Sequence, residues 1–284
     1  NITAGSCLGG LTKGLSVSPT SRIINSTNSE NSLCGFGFGL MLNGISSIFF
    51  MKQLDFLLLG IDHLVNTYNN IRSTMINPKS SFTIMPIIVD NGYQGPQSSS
   101  NNFADFCSIA RITGNTISTK AEAKKLITTK LISPGFRIIG VSGRLFKEEI
   151  IDVPIMYDNP DSSLIQYSNG MNVTIVCFNF SFPIGWNILQ NLKKDNIQSS
   201  IFNITALTHI KWKEILDNVR KTKKIIIIDD SKSQNLTCEN LINFLHDNCD
   251  ISKKIILKRK IEKNWLNPIS DEMIIDYQKI KDEL

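Results

Sequence analysis

Short, continuously apolar runs alternate along this chain with segments whose apolar residues recur at helical spacing. Ile45–Met51 and Phe82–Asp90 (FTIMPIIVD) have the character of strands buried on both faces. Between them, Asp55–Tyr68 (DFLLLGIDHLVNTY) carries a helical pattern with Phe56, Leu59, Leu64 and Val65 as inward positions. Ahead of both, glycines 35, 37, 39 and 44 are interleaved with Phe36, Phe38, Leu40, Met41 and Leu42, which predicts a closely packed helix over Gly35–Gly44. The turn-rich loop Asn91–Asn102 precedes Phe103–Ile109, strand Asn115–Ser118, helix Thr119–Ile132 and strand Phe136–Ser142. Asp152–Gly170 has prolines, aspartates and serines without a long period, and is expected to be a linker.

A second alternation follows. Strand Val173–Phe178, helix Ile184–Lys194, strand Gln198–Ile204, helix Trp212–Lys221, strand Lys224–Asp230, helix Cys238–His246 and a last strand near Ile255–Lys258 are expected. Strands alternating with helices predict mostly parallel sheets flanked by helices. The fold class is therefore α/β in two domains, 1–151 and 171–284, joined by a linker at 152–170.

With 284 residues, 42% apolar and 19% charged, the composition excludes a disordered or coiled-coil chain. The net charge of +5 comes without a coherent basic face, because Arg220–Lys224 and Lys253–Lys260 each flank an Ile-rich run. No nucleic-acid partner is expected. Ile, Asn and Lys dominate while Ala is scarce, a codon-composition bias that strips the Asn-x-Ser/Thr sequons of meaning. The six cysteines are scattered, and Cys34 and Cys177 lie in apolar runs as buried free thiols do, so neither a disulfide framework nor a zinc site is expected. Asn43, Lys52, Gln53, Asp55, Asp62 and His63 interrupt the apolar stretch from Gly35 to Val65, so no membrane span is expected. The start lacks Met and a signal-peptide pattern, which implies a fragment beginning within a domain and a cytoplasmic location. Without such a leader, Lys281-Asp282-Glu283-Leu284 is not taken as a retention signal.

Familiar phosphate and nucleophile motifs fail. GFGFG at 35–39 lacks the spacing to the third glycine and the upstream strand of a dinucleotide turn, Walker A is absent, and Ser98–Ser100 form no nucleophile elbow. The three histidines, His63, His209 and His246, show no triad or metal spacing.

Ordered segments do carry a resemblance. Gly9-Gly10-Leu11-Thr12-Lys13-Gly14-Leu15, Arg22-Ile23-Ile24-Asn25 and Asn28-Ser29-Glu30 are similar to the opening of the beta subunit of thiamine-diphosphate 2-oxoacid dehydrogenases. GFGFGLMLNG follows Glu30 where that family has a GfaiGlA run, and Asp55-Phe56 through Asp62-His63-Leu64-Val65-Asn66 resembles its DF…DQIVN helix. Gly170–Asp230 resembles the transketolase C-terminal domain, so the chain looks like a transketolase-like pyrimidine-binding domain followed by that C-terminal domain.

The resemblance implies a thiamine diphosphate cofactor and gives Glu30 a chemical task. A carboxylic acid bonded to the aminopyrimidine nitrogen drives the tautomer that deprotonates the thiazolium carbon, and an apolar pocket keeps its proton available near neutral pH. Glu30 is the implied catalytic acid, Phe56 the stacking aromatic, and Asn28 and Leu54 complete the implied cofactor contacts. The family's Mg²⁺-binding GDG motif is absent, so no metal ligand is expected in this chain. An alpha-type subunit carrying that motif is implied as partner in an α₂β₂ heterotetramer, with Mg²⁺ held by the partner and the active site at the interface.

One departure stands out. Where the family loop has a substrate-contacting histidine, this chain has Gly95-Pro96-Gln97-Ser98, and neither Gln97 nor Ser98 shuttles a proton near pH 7. Gln97, Ser98 and Arg144 are the substrate-side candidates, although a surface arginine is the plainer reading of Arg144. The expected function is a beta-type subunit of an enzyme cleaving a bond next to a carbonyl, as in 2-oxoacid decarboxylation with acyl transfer. The alternatives are the C-terminal subunit of a split transketolase and a non-catalytic structural or regulatory subunit. Because Gly35–Val65 is more apolar than one domain easily buries, the chain alone is expected to be poorly soluble or self-associated.

Overall fold

Four parallel strands, β1 (Ser47–Met51), β2 (Ser81–Ile88), β3 (Gly114–Ile117) and β4 (Gly135–Ser142), form sheet A in the order β1-β2-β4-β3 in a computed structural model of the chain. The structure describes residues 11–74, 77–90, 95, 99–145, 150–208, 210–259 and 273–284. Every residue of β2 is buried, because both faces of the sheet are covered. α1 (Glu30–Leu42) and α3 (Phe103–Ala110) pack on one face against Phe82, Ile84, Ile88 and Ile138, while α4 (Lys120–Thr129) sends Leu126 to Met85 and Ile139 on the other.

The tight packing expected of the Gly-rich helix is realised at two of its glycines. A Cβ at Gly37 would lie 2.2 Å from the Phe82 ring, and one at Gly35 would lie 3.0 Å from the His63 ring. Gly39 faces open space, and Gly44, at φ +81, ends the helix.

The segment after β1 departs from the expected α-helix. Leu54–Gly60 is a 3₁₀ helix, His63–Thr67 a π turn, and α2 (Tyr68–Ser73) regains α geometry. Three residues per turn put Leu54, Leu57 and Gly60 on the buried side. Leu59, expected inward, is instead 63% exposed beside Leu58 at 61%.

Sheet B contains six strands. β7 (Val173–Phe178), β8 (Ser199–Ile204), β9 (Lys224–Asp229) and β10 (Lys253–Lys258) are parallel, and the order is β10-β9-β7-β8-β6-β5. Strands β5 (Tyr157–Asp158) and β6 (Leu164–Ser168) come from the expected linker, and β6 pairs antiparallel with β8. The stretch thus belongs to the second sheet, anchored by buried Leu164, Ile165 and Tyr167. α5 (Phe182–Lys194) and α8 (Tyr277–Glu283) share one apolar cluster on this sheet, and α6 (Lys213–Thr222) and α7 (Glu239–Asn248) share the other. α8 was not expected from the sequence. It ties down the final residues: Lys281 pairs with Asp195 at 2.7 Å, and Glu283 with Lys253 at 3.3 Å.

The two sheets meet along a polar seam. Thr116 N donates to Thr205 O at 2.8 Å, and Asn115 bridges Ala206. Cys34, Cys107, Cys177 and Cys238 are buried free thiols, and Cys249 is half-buried. Burial pushes the Cys34 thiol up to about 12. Among the described residues, no helix is long and apolar enough to cross a membrane.

Candidate active site

Glu30 opens α1, and the helix direction decides where its carboxylate stands. The last turn of α1 lies where β2 begins, since Ser80 Oγ donates to Met41 O at 2.6 Å. Glu30 is therefore at the opposite end, where the parallel strands finish and where α/β sheets place their ligand sites. The Glu30 side chain is half-buried, with no side-chain cap from Ser29 to occupy the first turn.

The 3₁₀ helix and π turn pack directly on that first turn. A Cβ at Gly60 would sit 2.6 Å from Cys34 Sγ and 3.5 Å from Glu30 O, so glycine is what allows this approach. Phe56 is half-buried against the domain core, leaving part of its ring accessible. Leu54 is fully buried, so its side chain belongs to the core and only its backbone can face a ligand. Asn28 lies exposed just before the helix. Gln97 and Ser98 lie outside the described residues. Glu30, Asn28 and Phe56 stand at the same end of sheet A, and the apolar enclosure expected for Glu30 is not completed by the described residues.

Two residues join the corner that sequence reasoning had not singled out. Asp55, next to Phe56, accepts from Ser100 N at 3.2 Å through Oδ1, while its buried Oδ2 has no hydrogen-bond partner among the described residues. An orphaned carboxylate oxygen is costly and marks a place where a donor is missing. His63 packs its ring on the α1 backbone at Gly35 and bonds Thr67 Oγ1 through Nδ1 at 2.8 Å. The Asp-Phe pair and the histidine in the apolar helix were both visible as letters, but only the change to 3₁₀ and π geometry turns them to this end.

Arg144 behaves differently from both expectations for it. It is neither a surface arginine nor free for a substrate anion, because Nη2 pairs with buried Asp90 Oδ2 at 2.9 Å and reaches Phe180 O at 3.4 Å. Asp90 also accepts from Ser142 Oγ at 2.8 Å. This ion pair belongs to the seam, where Arg259 links the backbone oxygens of Asp90 and Asp230. Burial, with Asp90 and Asp229 nearby, pushes the Asp230 carboxyl up to about 8 against the opposing pull of Arg259. The arrangement fastens domain to domain.

Phe36 is 70% exposed on α1, and Leu58 and Leu59 are exposed on the adjoining 3₁₀ helix, giving this end an uncovered apolar surface. The described residues contain no group of three His, Cys, Asp or Glu side chains arranged to hold a metal ion.

No family model matches the chain. Among curated proteins it is similar to the 2-oxoisovalerate dehydrogenase subunit beta 2, mitochondrial, of Arabidopsis thaliana, at 26% identity over 212 residues. That alignment covers 73% of this chain and 59% of the relative's length. Among solved structures it is similar to one described as "Split gene transketolase, inactive beta4 tetramer", with a TM-score of 0.66 and 13% identity, covering 92% of this chain and 81% of that one. The fold is accordingly the transketolase-like two-domain fold. Sequence and fold likeness agree with the resemblance to a beta subunit, or C-terminal half, of the transketolase superfamily.

Proposed function

We propose that the chain is the beta-type subunit of a thiamine-diphosphate enzyme that cleaves a bond next to a carbonyl, with a 2-oxoacid as the first substrate class. The observation that carries this reading is the gathering of Glu30, Phe56 and the orphaned Asp55 oxygen at the strand-finishing end of sheet A. These groups fit the pyrimidine end of the cofactor: an acid, an aromatic face and an unsatisfied acceptor stand together beside a glycine-permitted close packing. When bound, the cofactor supplies the carbon nucleophile that the protein's own side chains lack. The Glu30 carboxyl would meet the pyrimidine ring nitrogen. Phe56 orients the ring by stacking, and Asp55 Oδ2 offers an acceptor to a donor on the cofactor or on the second chain.

Because the sequence has no GDG motif, Mg²⁺ and its ligands are assigned in this reading to an alpha-type partner in an α₂β₂ assembly. The exposed Phe36, Leu58 and Leu59 supply the apolar surface such a partner covers. Sequence likeness favours the 2-oxoacid branch over the transferase branch, because the solved structure speaks for the fold only.

Titration of thiamine diphosphate with Mg²⁺ into the chain and its alpha-type partner tests the assignment. Glu30→Ala is expected to assemble normally and to lose turnover. Unchanged turnover in that variant removes Glu30 from the mechanism, and binding without turnover in the native pair supports the non-catalytic alternative.

A further inference from the structure

The end of sheet A where the strands begin carries a cavity of about 390 Å³, within the roughly 300–1,000 Å³ typical of small-molecule sites. Its lining includes Arg111, Lys130 and Arg137 together with Asn115, Tyr68 and Phe136, and no carboxylate among the described residues. The whole of α1 separates it from Glu30, a helix of 13 residues that spans roughly 20 Å.

Arg137 is the unusual member. It is 8% exposed, yet its guanidinium meets only neutral oxygens: Thr83 Oγ1 at 3.3 Å, Pro134 O at 2.8 Å and Gly135 O at 3.2 Å. A cation buried without a counter-charge is costly unless an anion completes it. Lys130 bonds Asp161 O at 2.9 Å and Asn115 Oδ1 at 3.4 Å, again through neutral atoms. Burial pushes the Lys130 ammonium down, the Asp161 carboxylate outside the lining favours its charge, and Arg137 and Lys125 disfavour it. Arg111 ends α3 in a left-handed cap at φ +52, its N–H donating to Ser108 O at 3.2 Å, which leaves its exposed side chain at the cavity rim. Arg72, stacked over Tyr68 at 4.4 Å, holds that turn by donating to Arg111 O at 2.8 Å and Ala110 O at 3.2 Å.

We infer that this cavity is a binding site for a phosphate-bearing small molecule, separate from the proposed cofactor site and independent of it. Planar guanidinium forks match phosphate oxygens in pairs, and Lys130 adds a point charge. Asn115 offers a neutral donor beside them. The volume leaves room for more than one phosphoryl group, so inorganic phosphate and pyrophosphate serve as the two probes, distinguishing a single phosphoryl ligand from a diphosphate or nucleotide.

Calorimetric titration of each probe into the full chain, at low and at moderate salt, provides the test. Arg111→Gly removes one charge while placing glycine where the backbone is left-handed, so the variant keeps its fold. Lys130→Gln removes a second. Arg220→Gln, on the exposed side of α6 in the other domain, is the control. The expected result is saturable binding of at least one probe, weakened about tenfold in each cavity variant, or about 1.4 kcal/mol, and unchanged in the control. No binding of either probe, or equal losses in all three variants, overturns the site and leaves only the general attraction of a +5 chain.

Discussion

Glu122 and Glu30 both stand in the first turn of a helix, and the two regions around them are finished in opposite ways. Glu122 is fully buried at the seam between the domains. Its Oε1 accepts from Tyr167 Oη at 2.6 Å and Asn203 Nδ2 at 2.7 Å, both in the second domain, and its Oε2 from the backbone of Ser118 at 2.8 Å and Thr119 at 3.2 Å. Glu30 is half-buried at an α1 start without a side-chain cap, and exposed Phe36 on the same helix, exposed Leu58 and Leu59 and an orphaned Asp55 oxygen on the adjoining 3₁₀ helix complete that region. At the seam the Glu122 carboxylate itself is satisfied within one chain, although Thr116 Oγ1, Asn203 Oδ1 and Arg259 Nη1 nearby have no hydrogen-bond partner among the described residues. The Glu30 end leaves Asp55 Oδ2 unpartnered and Phe36, Leu58 and Leu59 exposed, which is what the proposed half-site requires of it.

The largest stability change is expected at the seam. Glu122→Ala strands four donors in a buried place and is expected to cost about 3–5 kcal/mol. Urea unfolding followed by probes in each domain is expected to show separate transitions where the native chain shows one. A small, single-transition loss would make the seam no tighter than the Glu30 end.

Next is the pH dependence of the seam. Asp230 holds its proton up to about pH 8 in the fold, whereas an unfolded aspartate loses it near 4. Between these values the native state binds more protons, so stability falls as pH rises, by at most about 1.4 kcal/mol per pH unit for one group. The raised Asp229 and Glu122 carboxyls act in the same direction. Denaturation series from pH 5 to 8 are expected to flatten in Asp230→Asn, and an unchanged slope would show that other groups set it.

Two glycines of α1 sharpen the comparison at smaller scale. Gly37→Ala drives a methyl into the Phe82 ring and is expected to destabilise by about 1–3 kcal/mol. Gly39→Ala meets nothing in this chain and is expected to stabilise the isolated protein by up to about 1 kcal/mol through helix propensity, while weakening assembly. Thermal unfolding and co-purification with the partner check both. The smallest stability effect is expected for Glu30→Gln, under about 1 kcal/mol by loss of a helix-terminal charge, against a turnover loss of roughly 10²-fold or more in the assembled enzyme.

Much of the fold was legible because its parallel strands are continuous apolar runs, as in Phe82–Asp90 and Lys224–Asp230, which few other structures accommodate. β6 was not, since Leu164-Ile165 and Tyr167 are set among polar residues and gain their burial only by pairing with distant β8. Leu59 was placed inward because a 3.6-residue period was applied to a segment that winds at three residues per turn. At the proposed site, Glu30 and Phe56 were singled out through the order of motifs. Asp55 and His63 were not, because their roles depend on where the 3₁₀ and π turns aim them. Arg144 was misplaced for the same kind of reason: its partner Asp90 is distant in sequence, and nothing local announces the pair.

The most direct test of the half-site account measures light scattering and thiamine diphosphate affinity on the same preparations. The isolated chain is expected to be self-associated or poorly soluble and to bind the cofactor weakly. Co-expression with an alpha-type partner is expected to bring both a defined assembly and tight, Mg²⁺-dependent binding. A well-behaved monomer that binds thiamine diphosphate with full affinity by itself would contradict the account.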